Sequence, residues 1–175
     1  MEHNYLSDPD EVELIPGAVQ GLRKMQAANL GIVVVTNQSG IGRGFFDEEG
    51  LELIHQKLLQ ILDRDGVRLD GIFFCPHLPT DGCNCRKPET GLLDRAAETL
   101  NFDARTSFVV GDKASDIEMG QRAGATTLLV RTGYGAEVER ANTCTPDHVA
   151  GDLFEAGRII HDCVIEKGGG SEDFD

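Results

Sequence analysis

Apolar positions along the chain switch between two periods. Val19, Leu22 and Met25 recur at three-residue steps, the stripe of a helix with one buried face. Pro16 suits the first helical position just before that stripe, and residues 29–31, with two helix-breaking ends, close it. Residues 32–35 then form an uninterrupted β-branched run, the mark of a strand covered on both faces. Asp47, Glu48 and Glu49 place acids where a helix dipole favours them, ahead of a stripe at Leu51, Ile54, Leu58 and Ile61. Residues 71–74 predict a second strand. Leu93, Ala96, Ala97 and Leu100 predict a further helix, with Thr90 as its N-cap. A third strand is expected at 107–110, a short helix at 114–123 ending at Gly124, and a fourth strand at 127–130. A short fifth strand at 147–150 and a last helix at 153–164 complete the series.

Helix and strand in alternation predict an α/β fold, with parallel strands and helices on both faces. Ligands of such sheets bind beyond the carboxyl ends of the strands. The segments there are 36–40, 75–77, 111–113 and 131–133, and each is polar, glycine-bearing or able to bind metal. Four such loops in one chain predict an active face.

Composition narrows the partners. At 175 residues the chain is long enough for one domain with a real core. With 16 basic and 30 acidic residues its net charge is −14, which repels nucleic-acid phosphates and anionic membranes at long range. An anionic small molecule is still admissible, because local cations override net charge. No apolar run approaches the ~20 residues of a membrane span. The first residues are acidic without an apolar stretch, unlike a signal peptide, so a cytoplasmic protein is expected. Residues 167–175, glycine-rich and then acidic, are expected to be a disordered tail after a domain spanning 1–166.

Of five cysteines, three fall within eleven residues. Cys75, His77, Cys83 and Cys85 supply three thiolates and one imidazole, a closed tetrahedral donor set of the structural zinc kind. Pro76, Pro79, Asp81 and Gly82 provide the turns that fold the loop back. A chance cluster of surface thiols is the alternative; a redox role is weaker, since no Cys-x-x-Cys is present. Cys144 and Cys163 stand alone and read as small apolar residues, and His55, His148 and His161 as structural or solvated.

Thr36, Asn37, Gln38 and Ser39 follow a buried strand, and Gly40, Gly42 and Gly44 let the backbone approach a ligand, together suiting an anion cradle. Taken alone, this loop reads equally well as a glycine-rich turn. Arg86 and Lys87 come directly after the cysteine loop and offer a planar fork and a point charge to an anion. Asp112, after the third strand, can hold Mg²⁺, which takes one or two carboxylates together with substrate phosphate oxygens. Lys113 can offset substrate charge, and Asp116 is either an outer carboxylate or a helix-start acid.

Residues 33–41, the 75–85 loop, Arg86-Lys87-Pro88 and residues 110–113 together resemble the haloacid dehalogenase superfamily, over roughly residues 2–165. The resemblance implies a three-layer, Rossmann-like fold with a zinc-loop insertion, and Mg²⁺ and Zn²⁺ as cofactors. It implies that Thr36 and Lys87 hold the transferring phosphoryl group and that Asp112 binds Mg²⁺. Arg86, Lys113, Asn37, Gln38 and Ser39 would contact substrate, as would Glu2, His3, Asn4 and Tyr5. The implied activity is removal of the 7-phosphate of a heptose 1,7-bisphosphate, on the way to nucleotide-activated heptose for lipopolysaccharide. A histidinol-phosphate phosphatase and a catalytically dead phosphosugar binder are the alternatives. The expected partner is a small phosphosugar, and the expected state a monomer.

One departure stands out. Members of the superfamily open with a strand ending in Asp-x-Asp-Gly-Thr, whose first Asp is the nucleophile and whose second is the general acid/base. The sequence begins at Met1, after the place of that motif. Asp8 and Asp10 are no substitute: Pro9 separates them, no strand precedes and no Gly-Thr follows. The expectation is an N-terminally incomplete phosphatase, missing the central strand of its sheet, inactive and poorly folded by itself.

Overall fold

The computed structural model describes residues 6–168. It contains two parallel sheets. In the first, β1 (Val33–Asn37) pairs with β2 (Gly71–Cys75), with Val33 opposite Gly71 and Asn37 opposite Cys75. In the second, β3 (Phe108–Gly111), β4 (Thr126–Val130) and β5 (His148–Ala150) run side by side in that order. The connections carry α1 (Ala18–Ala27) before β1, then α2 (Ser39–Gly42) and α3 (Glu48–Arg64) before β2. They continue with α4 (Gly91–Leu100), α5 (Ala114–Arg122), α6 (Gly135–Ala141) and α7 (Leu153–Gly168).

Helices cover both faces, as the two-sided apolar strands require. On one face, Met25 of α1, Leu62 of α3 and Ala156 and Ile160 of α7 pack with Leu128 and Val130 of β4. On the other, Leu93 of α4 and Met119 of α5 pack with Val109 of β3, against Val35 of β1. The crossing of α1 and α7 is close enough to demand glycine. A Cβ on Gly21 would sit 2.1 Å from the Leu153 carbonyl oxygen, and one on Gly157 would sit 2.6 Å from that of Gly21. No helix among the described residues is long and apolar enough to cross a membrane.

The expected elements appear with shifted ends. The first strand starts one residue later and runs two further than expected, because Ile32 donates its N–H to Asp70 Oδ2 at 2.8 Å while pairing with β2 continues to Cys75. Thr36 and Asn37 are thus strand residues rather than loop. Pro16 is not the first residue of α1; Gly17, with φ of 85°, caps the helix and Ala18 begins it. Thr90 stands at the N-cap position of α4 but makes no cap bond: its backbone is already helical, and its hydroxyl donates to Asp94 Oδ2 at 2.8 Å. The last helix overruns its expected end and includes Lys167 and Gly168, which corrects the start of the expected tail. The remainder of that tail, 169–175, lies outside the described residues. Neither α2 nor α6 was signalled by an apolar stripe.

Among the described residues no strand joins β1 to β3. Their facing edges border a cleft of about 1020 Å³ lined mainly by apolar side chains.

Candidate active site

The site is assembled at the carboxyl ends of β1 and β3, and Lys87 is its hub. Asn37, the last residue of β1, grips the Lys87 backbone twice. Its Oδ1 accepts the Lys87 N–H at 3.0 Å, and its Nδ2 donates to the Lys87 carbonyl at 3.2 Å. The Lys87 side chain then turns across the strand ends, where Nζ donates to the Val35 carbonyl at 2.8 Å. The same Nζ lies 2.7 Å from Asp116 Oδ1. That approach is off the hydrogen-bonding direction, so the contact is an ion pair. With side chains 14% and 8% exposed, the two charges are buried, and each depends on the other to offset its lost hydration.

Asp116 also holds the start of α5, its Oδ2 accepting the Lys113 N–H at 3.1 Å. A Cβ on Gly111 would meet that carboxylate at 2.4 Å, so the end of β3 passes against it. Asp112 is placed by the following loop: Oδ2 accepts the Tyr134 N–H at 2.9 Å. Its other oxygen accepts no hydrogen bond among the described residues, which leaves it available to a cation. Gly133, with φ of +60°, brings the backbone so near that a Cβ there would lie 2.2 Å from Asp112 Oδ2. Lys113 Nζ stands 4.6 Å above the Tyr134 ring, a cation–π contact on the exposed rim.

Of the residues expected at the site, Asn37 and Lys87 are bonded to each other, Asp112 lines the same cleft as Lys87, and Lys113 joins them only through its backbone N–H on Asp116. Thr36 is bracketed by Val35 and Asn37, both of which hold Lys87, and its hydroxyl accepts from Gln38 Nε2 at 3.1 Å. Ser39 is buried at the start of α2. Arg86 turns to the cysteine loop instead, with Nη1 donating to the His77 carbonyl at 3.3 Å. Glu2, His3, Asn4 and Tyr5 lie outside the described residues. Asp116 was the residue whose role the sequence left open; its signal was an acid three places after Lys113 at a helix start, the spacing of a capping side chain. Tyr134 and the Val35 carbonyl carried no signal.

The cysteine loop folds as a knuckle. The donor atoms of Cys75, His77, Cys83 and Cys85 all lie within 4.8 Å of one another. Cys75 Sγ is 3.1 Å from Cys85 Sγ and 3.6 Å from Cys83 Sγ, and His77 Nδ1 is 3.3 Å from Cys85 Sγ. A tetrahedron with Zn–S bonds of ~2.3 Å has edges of ~3.8 Å, so both the donor chemistry and the spacing fit zinc. Burial pushes the Cys85 thiol up to about 12, aided by its sulfur neighbours. Burial also opposes ionisation of Cys83, but the Arg86 N–H and the neighbouring thiols outweigh it and bring that thiol down to about 7. The knuckle is tied to the β1 end, with the Gln38 N–H on the Cys75 carbonyl at 2.7 Å and the Gly42 N–H on that of Pro76 at 3.0 Å. It therefore positions both Lys87, two residues beyond Cys85, and the loop after β1.

The chain is similar to known proteins over most of its length. A HAD-hydrolase-like family model matches residues 84–156. A D-glycero-β-D-manno-heptose-1,7-bisphosphate 7-phosphatase of Haemophilus ducreyi is 39% identical over 147 residues, 79% of this chain and 81% of the relative. The phosphatase of the same name from Escherichia coli K12 is 38% identical over 169 residues, covering 91% of this chain and 87% of its own. Among solved structures, the D,D-heptose 1,7-bisphosphate phosphatase of B. bronchiseptica, complexed with magnesium and phosphate, superposes with a TM-score of 0.85. It is 34% identical and covers 92% of this chain and 90% of that one.

Proposed function

The chain belongs to the HAD-like family of D-glycero-β-D-manno-heptose-1,7-bisphosphate 7-phosphatases, and from that premise we propose that its site serves to remove the 7-phosphate of that sugar. The observation that carries the reading is the hub at Lys87, where an ammonium is held on the Val35 carbonyl and beside the Asp116 carboxylate, in a cleft that Asp112 also lines. Lys87 and the Thr36 hydroxyl would hold the transferring phosphoryl group, with Lys113 offering further positive charge at the rim; Arg86 would reach substrate only by leaving the His77 carbonyl. Asn37, Gln38 and Ser39 line the approach. Asp112 would hold Mg²⁺, as the magnesium in the related B. bronchiseptica structure favours. Bound there, the ion supplies charge neutralisation on phosphate oxygens. Zinc in the knuckle would be structural, holding Arg86 and Lys87 in place.

Phosphate esters resist attack unless a nucleophile, a proton donor for the leaving oxygen and cationic clamps are aligned. In the superfamily the first two are the carboxyl groups of the Asp-x-Asp-Gly-Thr strand. Near the hub, Asp116 is committed to Lys87 and the Lys113 N–H, and Asp112 would be committed to the metal. Inactivity of the 175 residues by themselves is therefore part of the proposal, as are cytoplasmic location, a monomeric state and a role in lipopolysaccharide heptose supply.

The test is phosphate release, with Mg²⁺, from heptose 1,7-bisphosphate and from histidinol phosphate side by side. The chain as it stands should give none. The chain extended at its N-terminus by a strand ending in Asp-x-Asp-Gly-Thr should prefer the bisphosphate at least ~10-fold, and Lys87→Met in it should cost ~100-fold or more. An extended chain that prefers histidinol phosphate, or hydrolyses neither, overturns the reading; turnover by the chain alone overturns its inactivity.

A further inference from the structure

The loop after β4 meets the dipeptide Asp112-Lys113 at two points, both on Tyr134. Its N–H donates to Asp112 Oδ2 at 2.9 Å, and its ring lies under Lys113 Nζ, 4.6 Å from the ring centroid. Two glycines let the loop come down this far. A Cβ on Gly133 would lie 2.2 Å from Asp112 Oδ2, and one on Gly135 would lie 1.7 Å from the Val130 carbonyl oxygen. Anchored by its own N–H beside Asp112, Tyr134 presents its ring to the next residue along, Lys113.

An aromatic partner differs from a carboxylate in the charge it leaves behind. Lys87 is paired with Asp116 across 2.7 Å, and Arg131, in the same loop as Tyr134, is held by both Glu139 oxygens at 2.7 and 2.8 Å. Those two cations are neutralised where they stand. Lys113 takes part in none of the ion pairs among the described residues. A ring face orients an ammonium through its quadrupole without cancelling its charge, so an incoming anion need not displace it. In a chain of net charge −14 this distinction matters, because a surface carboxylate holding the same ammonium would compete with an anionic substrate.

We propose that Tyr134 is a positioning residue for substrate binding: its ring seats the Lys113 ammonium at the rim of the site, oriented and unneutralised, for an anionic group of the substrate. The proposal rests on the phosphatase reading, through the substrate contact given there to Lys113. Substitution of the Tyr134 side chain keeps the N–H on Asp112, so the share of the ring is read by itself.

The experiment uses the full chain and the variants Tyr134→Leu, Tyr134→Phe, Lys113→Met and Lys113→Met with Tyr134→Leu. Two quantities are measured: the proton shift of the Lys113 ε-methylene, and the affinity for heptose 1,7-bisphosphate with Mg²⁺ by titration calorimetry. The ε-methylene should be shifted upfield by the ring in the parent and in Tyr134→Phe, and should lose that shift in Tyr134→Leu. Lys113→Met should weaken the sugar at least ~10-fold. Tyr134→Leu should weaken it ~3–5-fold, and Tyr134→Phe should bind like the parent. In the Lys113→Met background, Tyr134→Leu should cost nothing further. Equal affinity of Tyr134→Leu and the parent overturns the proposal, as does an unshifted ε-methylene in the parent. So does a loss in Tyr134→Leu that persists in the Lys113→Met background, which would make the ring a direct sugar contact. An equal loss in Tyr134→Phe would assign the effect to the hydroxyl and overturn it as well. A parent chain that binds no bisphosphate overturns the phosphatase reading together with this one, whereas the preceding outcomes leave that reading standing as long as Lys113→Met weakens binding.

Discussion

The cysteine knuckle and the Lys87 hub lie two residues apart in sequence yet are built in opposite ways. The knuckle draws its four donors from eleven consecutive residues and closes on itself. The hub draws on β1, on the residue after the knuckle and on the start of α5, and its buried ion pair spans 29 positions, from 87 to 116. A local cluster needs its turns and its metal to form; a distributed one needs the whole fold. The dependence runs in one direction, because the knuckle can hold Lys87 in place while Lys87 contributes nothing to the donor set.

Metal removal should break that comparison most strongly. Chelation is expected to lower the Tm more than any single substitution below and to speed hydrogen exchange through 75–88, the hub included. Retained protection at Lys87 after zinc loss would show that Asn37 and Asp116 suffice to hold it. Next comes Lys87→Met, which strands Asp116 as an uncompensated buried carboxylate and should cost ~3–5 kcal/mol in urea unfolding. Zinc content should be unchanged, and adding Asp116→Leu should recover much of the loss. A single variant that releases zinc would make the dependence mutual.

Asn37→Ala removes the two-way amide grip on the Lys87 backbone and should cost ~1–3 kcal/mol by the same measurement, with Asn37→Asp intermediate because only the acceptor survives. The smallest effect is expected far from both regions. Asp147 Oδ2 accepts the Thr127 N–H and hydroxyl, both at 2.7 Å, and these bonds hold its carboxyl below the usual range. A depressed carboxyl stabilises above its unfolded pKa and loses that contribution as pH falls through its folded value. Asp147→Ala should therefore cost ~1 kcal/mol at pH 7, and the gap to the parent should close as the pH is taken below ~4.

Legibility follows the same division. The parallel sheets were readable because residues 32–35, 107–110 and 127–130 are β-branched or apolar at nearly every position, a pattern that only two-sided burial explains. The ends of β1 were not, since whether Thr36 and Asn37 stay in the strand depends on a partner that continues to Cys75. Helix α6 was missed because its seven residues, with Val138 the one large apolar side chain, carry no stripe. Arg86 beside Lys87 suggested two equivalent cations; the structure separates them, one turned to the knuckle carbonyl and one into the strand ends.

Read alone, the chain settles its alternating architecture, the clustering of three cysteines and a histidine in one loop and the residue types that follow the strands, because each of these is written in neighbouring positions. Pairing Lys87 with Asp116 and gripping it with Asn37 were decided by tertiary structure. Those contacts join residues 29 and 50 positions apart, and burial chooses among the many pairings that charge and periodicity alone permit.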